Sequence, residues 1–472
     1  MCYSGSQPSR ARHPALPLLD SGNYIAERSR LIKRRRFPKI FFGWWTVIAG
    51  GFLALWGHGF HTYGFSALFK HIQEDLHFDR AVTSVAASIG RFEGGFEAPI
   101  TGWITDRFGP RWIVLLGVSL ISISLILMRY IGSLWAFYAV WGVMLGTGIN
   151  IALTLPMDVA ITNWFVKKRG RALSIRMVFS GLSGVIVMPL VAALVVSVEW
   201  RMTCFIGGVV MAAVGIPLVW FFVKQHRPEY YGMLPDGATF EGDSTDREQM
   251  LERGRAYAAE VQEVDFTVKQ AMKTPVYWVM ILTQAVHSLI MPVMSIHCIP
   301  FLTDMEWLNI DDVQAAGMMT IWIAASLPAR FIGGVIADRI KARNLRLLIG
   351  GSYFLQALGV SIFLMDRSVP AIIIWFILYG IGQGGGMAAN PIIRARFFGR
   401  KSFGSIAGLS RFFMTPVGVL GPIYAGWIYD TTGSYDTAFV QLAIMVGASA
   451  VLALFILPPK PPVKTTDIYN IG

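Results

Sequence analysis

Apolar residues run along this chain in twelve long stretches, at roughly 44–69, 82–105, 112–130, 134–164, 172–197, 202–223, 275–302, 313–337, 346–365, 370–395, 403–428 and 437–458. A helix of about 18 or more such residues is long enough to cross the hydrocarbon core of a bilayer. The pattern predicts an all-α membrane protein with twelve transmembrane helices. Short polar segments separate most of the stretches, and one long polar insert, 224–274, divides them six and six. It opens with the turn-rich "KQHRPEYYGMLPDG" and continues through the acidic "STDREQMLERGRAYAAEVQEV", which reads as helical.

The two halves repeat. "GWITDRFGPR" (102–111) after the second stretch returns as "GVIADRIKAR" (334–343) after the eighth, 232 residues later. "NWFVKKRGRALS" (163–174) returns loosely as "ARFFGRKSFGS" (395–405), and "GTGIN" (146–150) as "GIGQG" (380–384). Parallel repeats of six spans describe a transporter built from two bundles around a midplane site. The expected division is a tail 1–40, a bundle 41–223, a central loop 224–274, a bundle 275–458 and a tail 459–472.

Composition agrees with the pattern. Only 15% of the 472 residues are charged, against about 25% in soluble domains, and the mean hydropathy is +0.52. The net charge of +12 would suit a nucleic-acid binder if it were spread over one surface. It is not. The segment "RSRLIKRRRFPK" (28–39), Arg107, Arg111, "KKRGR" (167–171), "DRIKARNLR" (338–346) and Arg396–Lys401 fall on one side. The other side holds only a few cations, such as Lys70, Arg80, Arg129, Arg201 and Arg367. This is the positive-inside bias, and it predicts both termini in the cytoplasm and no nucleic-acid partner. Cys2, Cys204 and Cys298 show no metal-ligand or disulfide spacing. The first 40 residues hold no apolar core, so the first span is expected to serve as the targeting element rather than a cleaved signal.

At Gly102, Asp106, Arg107, Gly109 and Arg111, with the weaker copy Gly334, Asp338 and Arg339, the sequence resembles the major facilitator superfamily over essentially 40–460. "FFGWW" (41–45), "RFEGG" (91–95), "RPEYYGMLPDG" (227–237) and "FTVKQAMKTPVYW" (266–278) narrow the likeness to the oxalate/formate antiporter and monocarboxylate transporter branch. The resemblance implies the major facilitator fold, two pseudo-symmetric six-helix bundles in one monomer. It also implies that Asp106 meets the inner end of span eleven and Asp338 that of span five, as a cytoplasmic gate. The residue types suit that role. Gly and Asp four apart share a helix face, small residues let helices approach closely, and a carboxylate complements a helix N-terminus. The alternative is a plain loop turn with solvated charges.

Ionisable residues within the spans cost about 2.5–3.5 kcal/mol each even on the mildest scale. The candidates are Arg91, Glu93, Glu97, Asp158, Arg176, Arg330, Arg394 and Arg411, an excess of cations that suits an anionic substrate. Arg330 lies eight residues before Asp338, about 12 Å deep; Arg411 and Glu97 lie at similar depth. The resemblance implies that Arg330, four residues before Gly334, binds a substrate carboxylate, which a planar guanidinium can grip with two bonds. A fixed structural pair is the alternative. Ser326 stands where many monocarboxylate carriers hold an aspartate, and Arg411 is the cation nearest to the lysine of oxalate-type members. Glu97 with Arg411 is expected as an inter-bundle ion pair, and Glu93 or Glu97 as a proton carrier. For Arg91, Arg176 and Asp158 permanent pairing is expected, Asp158 belonging with the gate around Arg107, and Arg394 is read as snorkelling to the inner surface. His58, His61, His287 and His297 fall on the first helix of each bundle, where proton coupling and plain hydrogen bonding are both open. Tyr63, Asn150, Gln284, Gln383 and Asn390 are polar cavity candidates.

"GIGQGGG" (380–386) imitates a phosphate loop but sits within an apolar span, and no GxxxxGK[ST] pattern exists. No enzymatic constellation, cofactor or metal site is expected. The reading is a secondary active transporter for a small organic anion such as a monocarboxylate, by proton symport or anion exchange, in the plasma membrane. The alternatives are export of a larger amphiphile or drug, and a transporter-like nutrient sensor.

Overall fold

Helices fill nearly every described segment of the computed structural model, which describes residues 40–77, 80–239, 247–260, 263–305, 307–308 and 310–462. The basic segment 28–39, Cys2, part of the acidic linker and the chain beyond 462 lie outside the described residues, as do the side chains of Arg80 and Arg91. The described residues from Phe42 onward pack as one unit. No strand occurs among the described residues.

Nine helices among the described residues are long and apolar enough to cross a membrane. One of them, Arg169–Phe222, has 54 residues and would be about 81 Å long if straight, far beyond the ~30 Å hydrocarbon core. Glu199, with φ 66° and ψ 161°, breaks it into two legs. Two more long helical stretches are Phe42–Leu76 and Arg80–Phe108. We label the twelve helical legs in chain order. The first, α1, runs Phe42–His58, through a π-helical turn Gly59–Tyr63, to Gly64–Leu76. Then follow α2 Arg80–Phe108 and α3 Pro110–Leu127. The fourth, α4, comprises Leu134–Phe137, a π-helical turn Tyr138–Leu145, Gly146–Leu153 and Leu155–Trp164. The broken helix supplies α5 (169–198) and α6 (200–222). The second half gives α7 Pro275–Thr303, α8 Asp312–Arg339, α9 Leu345–Met365, α10 Val369–Phe398, α11 Phe403–Thr432 and α12 Asp436–Ala453.

Local chemistry sets the ends. Gly109 takes φ 83°, which a side chain would resist, and Pro110 then starts α3 with its ring preset for the first turn. Asp311 and Gln314 form a reciprocal capping box at the start of α8, and Thr267 with Gln270 does the same in the linker. The acidic linker stretch forms a helix over Arg247–Ala259.

Glycine spacing decides where the halves touch. A Cβ on Gly102 of α2 would overlap the Gly404 carbonyl of α11, and one on Gly334 of α8 would overlap Ser174 and the Gly170 carbonyl of α5. The repeated motif glycines are therefore points of close backbone approach in two crossings, α2 with α11 and α5 with α8.

Candidate functional site

At each crossing the motif aspartate meets a helix start. The Asp106 carboxylate accepts from the backbone N–H groups of Gly404 (2.9 Å) and Ser405 (2.6 Å) and from the Ser405 hydroxyl (2.7 Å). Asp338 accepts from Gly170 N–H (2.6 Å) and Arg171 N–H (3.0 Å), with Arg171 Nε at 3.3 Å. The first N–H groups of a helix have no partner within it, so a carboxylate there satisfies donors and complements the helix dipole together. Of the other motif residues, Arg107 stacks over Trp103 (5.3 Å) and Arg111 over Trp220 (4.2 Å), while Arg339 is exposed.

The linker adds a second layer over the same end. Glu263 pairs with Arg169, at the start of α5 (2.8 Å), and with Arg400, just before α11 (3.0 Å). All three side chains are 1–4% exposed. Arg400 also reaches Glu229 (3.4 Å) and the Asn163 carbonyl (3.2 Å). Burial by itself raises the Glu263 carboxyl, but Arg169, Arg400 and Arg227 outweigh it and hold it below the ordinary carboxylate range. Two linker aspartates act on equivalent loops of the halves. Asp236 accepts from the N–H groups of Val166, Lys167 and Lys168 (3.1, 2.8 and 3.0 Å). Asp265 accepts from those of Arg400 and Lys401 (2.9 and 3.0 Å). With Gly170 and Arg171 in the role of Gly404 and Ser405, Val166 and Lys167 correspond to Arg400 and Lys401 in the internal repeat.

Above this joined end lies a cavity of about 1130 Å³. Its wall on α11 runs from Ala407 to Ile423, about 24 Å along the helix. The charged and strongly polar lining comprises Glu93, Asp158, Gln284, His287, Arg394 and Arg411, with Gln383 beside them; much of the rest is apolar, including Met291, Met387 and Met414. Local backbone explains part of the arrangement. Thr154, at φ −110° and ψ −108°, interrupts α4, and the buried Arg176 donates to the Leu153 carbonyl released there (2.8 Å). Arg176 also pairs with Asp158 at 2.5 Å. Arg411 Nη1 donates to the Thr154 hydroxyl (3.0 Å), and Arg394 Nη2 to Gln284 Oε1 (2.7 Å).

Several expectations change here. Glu97 and Arg411 do not pair within 4.0 Å: each meets a threonine of α4, Glu97 at Thr147 (2.6 Å) and Arg411 at Thr154. Asp158 is committed to Arg176 rather than to Arg107, because the break in α4 turns both toward the same buried point. Arg394 does not snorkel outward; it faces the cavity from α10. Sequence depth alone hid it, since its position near the end of an apolar run resembles that of a snorkelling residue. Arg330 is 7% exposed and stands outside the cavity lining. It crosses from α8 to the Met177 carbonyl of α5 (3.1 Å), with Ser326 Oγ at 3.4 Å and Tyr63 nearby.

The remaining candidates are scattered. Asn150 donates to the Gly90 carbonyl (3.0 Å), and His61 stacks on Trp141 (5.9 Å). His58 contacts Thr62 (3.4 Å), and His297 contacts Tyr435 (3.2 Å) and the Pro422 carbonyl (3.0 Å). Gln383 accepts from Trp322 Nε1 (2.9 Å), and Asn390 lies beside Tyr353. Thr147 places its hydroxyl within bonding distance of both Glu93 (2.8 Å) and Glu97 (2.6 Å).

Two repeated helical halves, joined at one end and hollow between, are the build of a multi-pass membrane transporter rather than an enzyme. The chain belongs to the Major Facilitator Superfamily, whose family model matches residues 51–414 and 351–468. It is 24% identical over 437 residues to the MFS-type transporter YcxA of Bacillus subtilis (strain 168), covering 89% of this chain and 97% of the relative. It is also 24% identical to monocarboxylate transporter 12 of Rattus norvegicus (88% and 85% covered). To the probable sulfoacetate transporter SauU of Cupriavidus necator it is 25% identical (80% and 90% covered). The crystal structure of the human organic anion transporter MFSD10 (TETRAN) shares the fold at TM-score 0.60 and 15% identity, covering 86% of this chain and 98% of that one. The molecule is thus a transporter of the superfamily, acting on a small-molecule substrate from within the lipid bilayer.

Proposed function

We propose that this transporter carries small organic anions, monocarboxylates among them, by alternating access across the plasma membrane. The observation that carries the reading is the pair Arg394 and Arg411. Both line the cavity, and among the described residues neither has an acidic partner within 4.0 Å; their bonds go to Gln284 and Thr154. Both are half-buried, and although Asp158 acts on both and Glu97 on Arg411, neither carboxylate reaches ion-pair distance, so an anionic substrate would supply the direct counter-charge each lacks. The names of two relatives, a monocarboxylate transporter and a probable sulfoacetate transporter, support the same substrate class.

The basic loops lie at the locked end, which on the positive-inside rule is cytoplasmic along with both termini. Asp106 and Asp338, with Gly102 and Gly334, then act as the inner gate of an outward-facing carrier. Arg330 meets the substrate only when α8 parts from α5, which gives it a role in the alternate conformation. One chain encloses the cavity, and a monomer suffices. For coupling, a threonine hydroxyl carries one hydrogen. Thr147 can therefore hold Glu93 and Glu97 together when one of the two carboxyls brings its own proton, which supports proton symport over anion exchange. His61 near Gly90 and Arg411 on α11 are ionisable groups close to this cluster.

A second reading rests on the cavity's size. Its volume exceeds the ~300–1,000 Å³ of ordinary small-molecule sites, and its methionine-rich wall suits an amphiphile with an apolar body. Uptake of labelled lactate into proteoliposomes, with and without an inward pH gradient, tests the first reading. Arg411→Ala is expected to lower uptake at least ~10-fold. Absence of competition by any carboxylate, with competition by apolar amphiphiles, would transfer the function to the second.

A further inference from the structure

The two cavity arginines stand on different helices and in different company. Arg411 projects from α11 and bonds Thr154 on α4, in the first half of the chain. Arg394 projects from α10 and bonds Gln284 on α7, within the second half. The bond at Gln284 has a fixed sense. A guanidinium only donates, so the glutamine must turn its carbonyl oxygen to Arg394, and its amide nitrogen faces elsewhere.

That nitrogen is the informative atom. Gln284 is 5% exposed and lines the cavity, yet its Nε2 has no partner among the described residues. Buried amide donors are nearly always bonded, and one left unmet asks for an acceptor. One turn further along α7, His287 also lines the cavity, with Gln356 as its side-chain hydrogen-bond partner. The acidic groups on the wall do not fill the need. Asp158, whose charge acts on both arginines from beyond ion-pair distance, is bonded to Arg176, and Glu93 is held at Thr147.

We infer that Arg394 and Gln284 form a second anion subsite, so that the substrate is a two-headed organic anion, one head on Arg411 and the other on Arg394 with the Gln284 amide. This deepens the proposed function and rests on it. A single carboxylate would neutralise one guanidinium and leave the other, with the amide, unmet. A dianion answers both sets of donors at once, and two tethered heads gain from the second contact being intramolecular.

Calorimetric titration of the purified full-length protein with acetate and lactate, and with malonate, succinate and glutarate, tests the inference. One of the two-headed acids is expected to bind at least ~10-fold more tightly than acetate, with the optimum length reporting the gap between the subsites. Arg394→Gln and Gln284→Leu should each shrink that preference ratio toward one, whereas Arg411→Gln should weaken binding of both classes. The ratio is read within each variant, so a lower folded fraction does not mimic the result. Equal affinity for one- and two-headed acids would overturn the subsite and leave the anion function standing. So would an unchanged ratio in both α7 and α10 variants, or cooperative saturation by acetate at two sites. Failure of every anion to bind would overturn the proposed function itself.

Discussion

Replacing Glu263 with glutamine keeps the size of the side chain and removes the one carboxylate shared by Arg169 and Arg400. The two contacts, 2.8 and 3.0 Å, are buried and join the start of α5 to the loop before α11. Removing one member of a buried ion pair costs about 3–5 kcal/mol, mainly because a charge is left uncompensated. Arg400 retains Glu229 and the Asn163 carbonyl, so its share is softened. Arg169 retains the Phe165 carbonyl (3.1 Å) and bears most of the loss. The low end, about 3 kcal/mol, is the better figure. When the two loop ends separate, Glu263 can follow only one arginine, so roughly half of that energy belongs to the locked conformation alone. About 1.5 kcal/mol corresponds to a shift of roughly tenfold toward separated ends. Spin labels at the exposed positions Phe108 and Lys401, one in each half, would read this in electron–electron resonance as growth of a longer distance. An unchanged distance distribution in folded Glu263→Gln protein would refute the view that the linker clasps the two halves.

The same carboxylate sets an acid limit. Its pKa in the folded protein lies below the ordinary value, so its contribution is complete above the unfolded pKa of about 4.3 and is lost as pH falls through the lower folded value. Thermal stability of the wild type should therefore fall more steeply on acidification than that of Glu263→Gln; parallel curves would count against it. Gly334→Ala would force a methyl into Ser174 and the Gly170 carbonyl, and overpacking of about 1–3 kcal/mol against the locked conformation should slow uptake with little loss of overall fold; normal uptake would show that the α5–α8 crossing accommodates the methyl and needs no glycine. Arg330→Ala should lower transport more than it lowers anion affinity in calorimetry, because Arg330 lies outside the cavity wall; an equal loss in both would place it on the substrate in this conformation. Glu93→Gln should abolish the stimulation of uptake by an inward pH gradient while exchange persists; retained stimulation would remove the Glu93–Thr147–Glu97 cluster from the coupling.

Much of this protein is legible along the chain. Runs of apolar residues announce the helical legs, because every backbone group in a bilayer must be bonded within its own segment or a closed barrel. The repeat at 232 residues announces two related halves, and the Gly-Asp spacing at 102/106 and 334/338 announces helix ends that sit close to something. Depth is equally accessible, since a helix advances 1.5 Å per residue, and this is how Arg330, Arg411 and Glu97 stand out. What depth cannot supply is the direction in which a side chain points relative to helices far away in sequence. That direction separates Arg394 and Arg411, on the cavity, from Arg330, against α5. It also assigns Asp158 to Arg176, sets Thr147 between two glutamates, and brings Glu263 of the linker between arginines 94 and 137 residues away. The rotation of each helix about its axis is decided by the packing of all its neighbours at once, and only the assembled bundle contains that information.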